Sequence, residues 1–188
     1  MFDRSRYDAI VVGARCAGAA TAMLMARRGL KVLVIDRGRY GADTMSTHAL
    51  MRGGVTQLHR WGLLPRIVAS GTPAVRRTTF HYGDDVLEVD VPPRYGVEAL
   101  YAPRRTLLDS TLVDAARREG AEVRHDCTLT GLVRNPDGRV GGAVIFGADG
   151  KSEVVETDLV IGADGIGSAV ARLVGAQVLE GRHASSVV

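Results

Sequence analysis

The sequence predicts an α/β fold of the Rossmann-like type, on three observations. A buried-type strand, a glycine turn, a helix and a second strand follow one another between Tyr7 and Asp36. Far downstream, another apolar strand runs straight into Gly162-Ala163-Asp164-Gly165. Between these regions, three short strands parted by turn residues read as a β-meander.

The elements can be justified in order. Tyr7 to Val12 ends in Ile10-Val11-Val12, a run suited to a strand buried on both faces. Ala17 to Arg28 is a helix, small early and bulkier in the middle, stopped by Gly29. Its two closing arginines suit the negative end of the helix dipole. Lys31 to Ile35 is a second buried strand ending at Asp36. Asp43 to Met51 reads as a loop passing into a short helix. Gly53 to Trp61 carries Val55, Leu58 and Trp61 at helical spacing, ended by Gly62 and Pro65. Val75 to Tyr82 and Val86 to Val91 read as a hairpin, turned at Gly83-Asp84-Asp85. Arg105 to Glu119 is amphipathic and closed by Gly120, and Ala121 to His125 is a short strand. Leu129 to Arg134, Arg139 to Phe146 and Glu153 to Glu156 form the meander. Leu159 to Ile161 is a last buried strand, and Ser168 to Leu173 is helical.

Composition narrows the function classes. With 46% hydrophobic and 24% charged residues, the chain can build a core and is not disordered. No apolar stretch is long enough for a membrane span, and the start lacks a signal peptide's apolar run. The net charge of +3 comes from scattered arginines with no basic tract, so nucleic acid is not the expected partner. Two cysteines, Cys16 and Cys127, build neither a disulfide framework nor a cysteine-rich metal site, and they point to a cytoplasmic setting. The histidines show no ligand spacing, so no metal is assigned.

The first glycine turn is Gly13-Ala14-Arg15-Cys16-Ala17-Gly18. In a dinucleotide fingerprint the first glycine makes the tight turn, the second admits the pyrophosphate, and the third lets helix pack on strand. Gly13 and Gly18 fill the first and third roles, while Arg15 stands at the second. Arg15 either reaches over the pyrophosphate or adenine edge and adds charge, or points to solvent. Asp36, 23 residues after Gly13, is placed to accept the ribose hydroxyls. A carboxylate there repels a 2′-phosphate, so the adenosine half is that of FAD or NAD. Arg37 either stacks on adenine or is simply exposed. Cys16, at a helix start, is a candidate for a lowered pKa, which neighbouring phosphates would oppose.

The strand and turn Val11 to Gly18, the pair Asp36-Arg37, Arg105 to Asp109 running on to Leu112, Ala116 and Gly120, and Ile161 to Arg172 occur in that order. Together they resemble the FAD-dependent monooxygenases of the para-hydroxybenzoate hydroxylase type. Geranylgeranyl reductases and flavin-dependent halogenases share that superfamily. The resemblance implies a glutathione-reductase-type FAD-binding domain with a β-meander and part of a substrate-domain sheet. It divides the chain into 1–72 and 99–176 for FAD binding, 73–98 for the substrate-domain strands, and a tail at 177–188.

The resemblance also implies roles. Gly13, Ala14, Arg15, Ala17 and Gly18 would hold the FAD pyrophosphate, with Asp36 on the ribose and Arg37 beside it. Arg105 would contact the phosphate-ribityl portion, and Leu129 would lie where backbone meets adenine. Asp164 and Gly165 match a motif with a dual part in FAD and NAD(P)H binding. His48 belongs to a loop toward the flavin and either faces the isoalloxazine side or has a structural or solvent role, and His59 is read as a helix-surface or packing histidine. The implied activity is NAD(P)H-dependent hydroxylation of a small organic substrate. Alternatives are reduction of isoprenoid-type double bonds, halogenation, an FAD-binding module without turnover, or an NAD-binding domain without flavin. The lysine-bearing halogenase motif is not identifiable. The family's second acidic glycine motif, Gly-Asp-Ala, has no match after Leu173, so the chain reads as the N-terminal half of a longer protein.

Overall fold

The computed structural model describes residues 6–44 and 49–178. The chain opens with β1 (Arg6–Tyr7) and β2 (Ala9–Val12), followed by α1 (Cys16–Ala26) and β3 (Val32–Ile35). Two short helices follow, α2 (Arg52–Arg60) and α3 (Leu64–Ala69). Next come β4 (Ala74–Val75), β5 (Arg77–Tyr82), β6 (Asp85–Asp90) and β7 (Leu100–Tyr101). The second half holds α4 (Arg105–Arg118), β8 (Glu122–Arg124), β9 (Thr128–Arg134), β10 (Val140–Phe146), β11 (Ser152–Thr157), β12 (Val160–Gly162) and α5 (Ala169–Leu173).

A parallel sheet in the order β12-β2-β3-β8 forms the middle layer. Its strands alternate between two cores, which explains their unbroken apolar runs. Val11, Val32 and Val34 belong to one core, with the small face of α1 (Ala19, Ala22, Met23, Ala26) and the apolar face of α4 (Leu108, Leu112, Ala115, Ala116). Ile10, Val12, Leu33 and Ile35 belong to the other, with Leu129, Ala143, Ile145 and Val155 of the meander. The alanines of α1 and α4 let these two helices lie close together. Arg27 at the end of α1 also pairs with Glu119 at 2.8 Å.

Four local expectations need correction. Tyr7 to Val12 is two strands, because Asp8 breaks the run: its carboxylate accepts the Lys31 N–H at 2.6 Å. β1 then joins β11 while β2 joins β3. Pro65 does not end a helix but stands in the first turn of α3, where its missing N–H costs nothing. Val75 lies outside the hairpin, since β4 pairs with β7 and the hairpin proper is β5–β6. No helix precedes α2 among the described residues of 43–51; Leu50 instead bridges to Tyr101.

Gly13 and Gly18 are set by contact rather than by flexibility alone. A methyl group on Gly18 would lie 1.7 Å from the Gly13 carbonyl oxygen. One on Gly13 would lie 2.4 Å from the Ala163 carbonyl oxygen, and its φ of +103° disfavours any side chain. Gly53, exposed in α2, meets nothing within 4 Å. Gly18→Ala should therefore cost on the order of 3 kcal/mol or prevent folding, whereas Gly53→Ala should gain up to about 1 kcal/mol. Thermal melts of the two variants check this contrast, and equal Tm values would contradict it.

Candidate functional site

The site forms where β2 gives way to α1. Ala163 N–H donates to the Val12 carbonyl at 2.7 Å, so the turn after β12 lies directly on the turn after β2. Gly18 seats the first turn of α1 against Gly13. Arg15 is the N-terminal cap residue, with φ −84°, a conformation open to any residue; this is why arginine is tolerated where a glycine was expected. No side chain caps α1, and its first turn holds no acid. Its leading N–H groups are thus available to an anion, and the helix dipole favours one.

Asp36 closes the site from β3. Its Oδ2 accepts the Ala14 N–H at 2.7 Å and its Oδ1 accepts the Gly38 N–H at 2.7 Å. Each oxygen keeps a second lone pair, so the carboxylate can still accept hydroxyls. Arg15 is exposed and its Nη1 donates to Thr44 at 3.0 Å across the mouth. Ala17 and Arg37 are exposed at the rim. Tyr40 pins the following loop to α4 by donating to Asp114 at 2.7 Å. Beneath it, Ala14, Asp36, Tyr40, Asp109 and His125 are among the residues that line a small cleft, open to solvent, of about 30 Å³.

Arg105 opens α4 and grips Asp109, one turn on, with Nη2 at 3.1 and 3.0 Å from the two carboxylate oxygens and Nε at 3.3 Å from one of them. The Cys16 thiol donates to the same carboxylate at 3.1 Å. Burial first, and then the Asp109 carboxylate, push this thiol up to about 12. Cys16 is therefore a structural donor and not a reactive thiolate. Burial also raises the Cys127 thiol. The Arg105–Asp109 spacing was readable as an i,i+4 pair, but nothing local announces that Cys16, 93 residues away, joins it.

Asp164 and Gly165 occupy the second turn. The Asp164 carboxylate accepts from Ser168 Oγ at 2.6 Å and from the N–H groups of Ala169 and Val170 at 2.6 and 3.3 Å. Burial alone would raise its pKa, but these donors outweigh it and hold the carboxyl below its ordinary 3.8. Ser168 is the N-cap of α5, its Oγ accepting the Ala171 N–H at 3.0 Å, and Asp164 takes the two N–H groups before it. Gly165 takes φ +81° with open space around it. Leu129 is buried in the meander core, paired with Ile145, and does not line the cavity beside Asp36. His59 packs on Gly96, whereas His48 lies outside the described residues. His125, not singled out from sequence, lines the Asp36 cavity, and its Nδ1 donates to the Gly38 carbonyl 3.3 Å away. A larger cavity of about 500 Å³ lies between β8 and the β10–β11 turn and shares His125 with the cleft beside Asp36. Among the described residues, no cluster of His, Cys, Asp or Glu could hold a metal, and no helix is long and apolar enough to cross a membrane.

Paired turns, an uncapped helix N-terminus and a strand-end acid define a dinucleotide-binding α/β domain. The chain belongs to the FAD binding domain family, which it matches over residues 6–187. It is 31% identical over 179 residues to a probable electron transfer flavoprotein-quinone oxidoreductase, YdiS, of Escherichia coli, covering 90% of this chain and 39% of that protein. It is also 31% identical over 170 residues to the digeranylgeranylglycerophospholipid reductase of Methanosarcina acetivorans, covering 90% and 40%. Among solved structures, Pseudomonas aeruginosa PqsL shares the fold with a TM-score of 0.81 at 19% identity, over 96% of this chain and 48% of that one. The flavin-dependent halogenase CmlS matches with a TM-score of 0.74 at 25% identity, over 93% and 32%. The chain thus spans about two fifths of the length of these curated relatives.

Two outcomes follow from the site chemistry. Cys16 should resist alkylation at pH 8 in the folded chain and react once it is unfolded, as peptide mass spectrometry would read; equal rates would contradict the buried thiol–carboxylate bond. Because the folded Asp164 carboxyl titrates low, its stabilising contribution is present above its unfolded pKa and is lost as pH falls through the folded value. Asp164→Asn should therefore flatten the acid limb of stability against pH, measured by urea unfolding between pH 5 and pH 2.

Proposed function

We propose that the chain is the FAD-binding half of an FAD-dependent oxidoreductase, and that the first glycine turn and α1 hold the pyrophosphate. The observation that carries this reading is the uncapped, acid-free N-terminus of α1, fixed by Gly13 and Gly18 beside Asp36. Backbone N–H groups at Arg15 to Gly18 would take the phosphate oxygens, and Arg15, released from Thr44, would add charge. Asp36 would accept the ribose hydroxyls while keeping its hold on Ala14 and Gly38. Arg37 would border the adenine, with the backbone near Leu129 behind it. Arg105 would face the phosphate-ribityl portion. Asp164 and Gly165 would face both FAD and NAD(P)H. FAD supplies the electron transfer itself; the protein binds and orients it.

The electrons would come from NAD(P)H, and the substrate would be a small organic molecule, in a cytoplasmic setting. Hydroxylation is the reading drawn from the resemblance. Two relatives at 31% identity, named as a probable electron transfer flavoprotein-quinone oxidoreductase and a digeranylgeranylglycerophospholipid reductase, support the reductase alternative. The hairpin β5–β6 supports a substrate-domain role for 73–98. One face carries Phe80, Tyr82, Leu87 and Val89, all exposed, and the other carries the Arg77 pairs with Glu88 and Asp90. A lone two-stranded hairpin is marginal in water, so the apolar face calls for cover from the longer protein or its substrate.

The purified chain mixed with FAD and passed through gel filtration should retain flavin absorbance. Asp36→Ala should weaken binding by about tenfold, in keeping with the loss of charge-assisted hydrogen bonds. A folded, monodisperse chain that retains no flavin would overturn the proposal. Oxygen incorporation against anaerobic alkene or quinone reduction by the longer protein would separate the two branches.

A further inference from the structure

Asp109 is a buried acid at a site proposed for an anion, and that needs a reason. It is 8% exposed, stands one turn into α4, and borders the cavity beneath Asp36. As a surface i,i+4 pair its bond to Arg105 would be ordinary, but both side chains are largely buried, at 20% and 12% exposure. Burying an ion pair seldom stabilises a fold more than apolar packing in the same space would. Stability is therefore a poor account of the pair.

The geometry offers a better one. Asp109 takes Nε and Nη2 of Arg105, which leaves Nη1 outside the carboxylate pair. The same carboxylate receives the thiol of Cys16, the first residue of α1. One group thus ties the first turn of α4 to the first turn of α1. An arginine held through a planar fork keeps one orientation, whereas an unheld side chain must be ordered by its ligand. We infer that Asp109 is a positioning residue: it holds the Arg105 guanidinium beside the N-terminus of α1, set in advance for the phosphates of FAD. The inference rests on the FAD reading above and goes beyond it by assigning Asp109 and the Cys16 thiol a role in cofactor affinity.

The alternatives differ in sign. An acid that merely faced the phosphates would repel them, and its removal would tighten FAD binding. An acid with a purely structural role would change the melting temperature and leave affinity alone. FAD affinity is read by quenching of flavin fluorescence in the 188-residue chain for the wild type, Asp109→Asn, Arg105→Ala, the double variant and Asp36→Ala. Asp109→Asn should weaken FAD roughly tenfold, the scale of ordering one long side chain. It should weaken it no further once Arg105 is alanine. Unchanged or tighter binding in Asp109→Asn, or effects that multiply in the double variant, would overturn the inference. If Asp109→Asn does not fold, Arg105→Lys decides: it keeps the charge but cannot be gripped through a fork, and wild-type affinity in it would overturn the inference. If the wild type binds FAD and Asp36→Ala weakens it while Asp109→Asn does not, only this inference falls. If the wild type binds no FAD, the FAD reading falls and this inference falls with it.

Discussion

The close approach of two turns governs this structure. Gly18 leaves no room for even a methyl group against the Gly13 carbonyl, and Gly13 leaves none against Ala163. The Val12 carbonyl takes the Ala163 N–H, so the first and last strands of the parallel sheet deliver their turns to one spot. Helix α1 then starts at a fixed height above the sheet with its leading N–H groups uncapped. A side chain on Gly18 would force the start of α1 away from the Gly13 turn, and one on Gly13 would part that turn from Ala163.

The remaining polar groups consolidate that arrangement from three sides. Asp36 fastens the Ala14 N–H to the end of β3. Asp109 fastens Cys16 and Arg105 together under the helix start. Asp164 holds the first N–H groups of α5, which packs Val170 close to Gly162 at the end of β12. Each acid is bound by N–H, O–H, S–H or guanidinium donors, as burial demands. The rim therefore combines fixed donors with compensated acids, an environment suited to a phosphate-bearing ligand whose adenosine carries free ribose hydroxyls.

Much of this was legible in the sequence, for a definite reason. Strands buried on both faces, glycine turns and a helix stop are local signals, and they located β2, α1, β3, α4 and β12 closely. The family carried by the two glycine motifs was also legible, and the match over residues 6–187 bears it out. Sequence reasoning failed where tertiary contacts decide. Asp8 lies between Tyr7 and Ile10, but only its contact with Lys31, 23 residues on, shows that the two residues pair with different sheets. Pro65 reads as a breaker until its place in the first turn of α3 is known. Asp109 reads as one more helix acid until Cys16 meets it from across the chain. Leu129 carries a strand pattern that cannot say whether its backbone or its side chain matters, and its side chain is in the core.

The account rests on the N-terminus of α1 as the anion-binding element of an FAD-binding half. Its most direct test is an amide chemical-shift titration of the isotopically labelled chain with FAD. The account predicts that the N–H resonances of Ala14 to Gly18 shift most, together with those of Asp36 to Gly38, while those of β5–β6 stay in place. Shifts confined to the cavity between β8 and the β10–β11 turn, or no shifts in a folded chain, would contradict it.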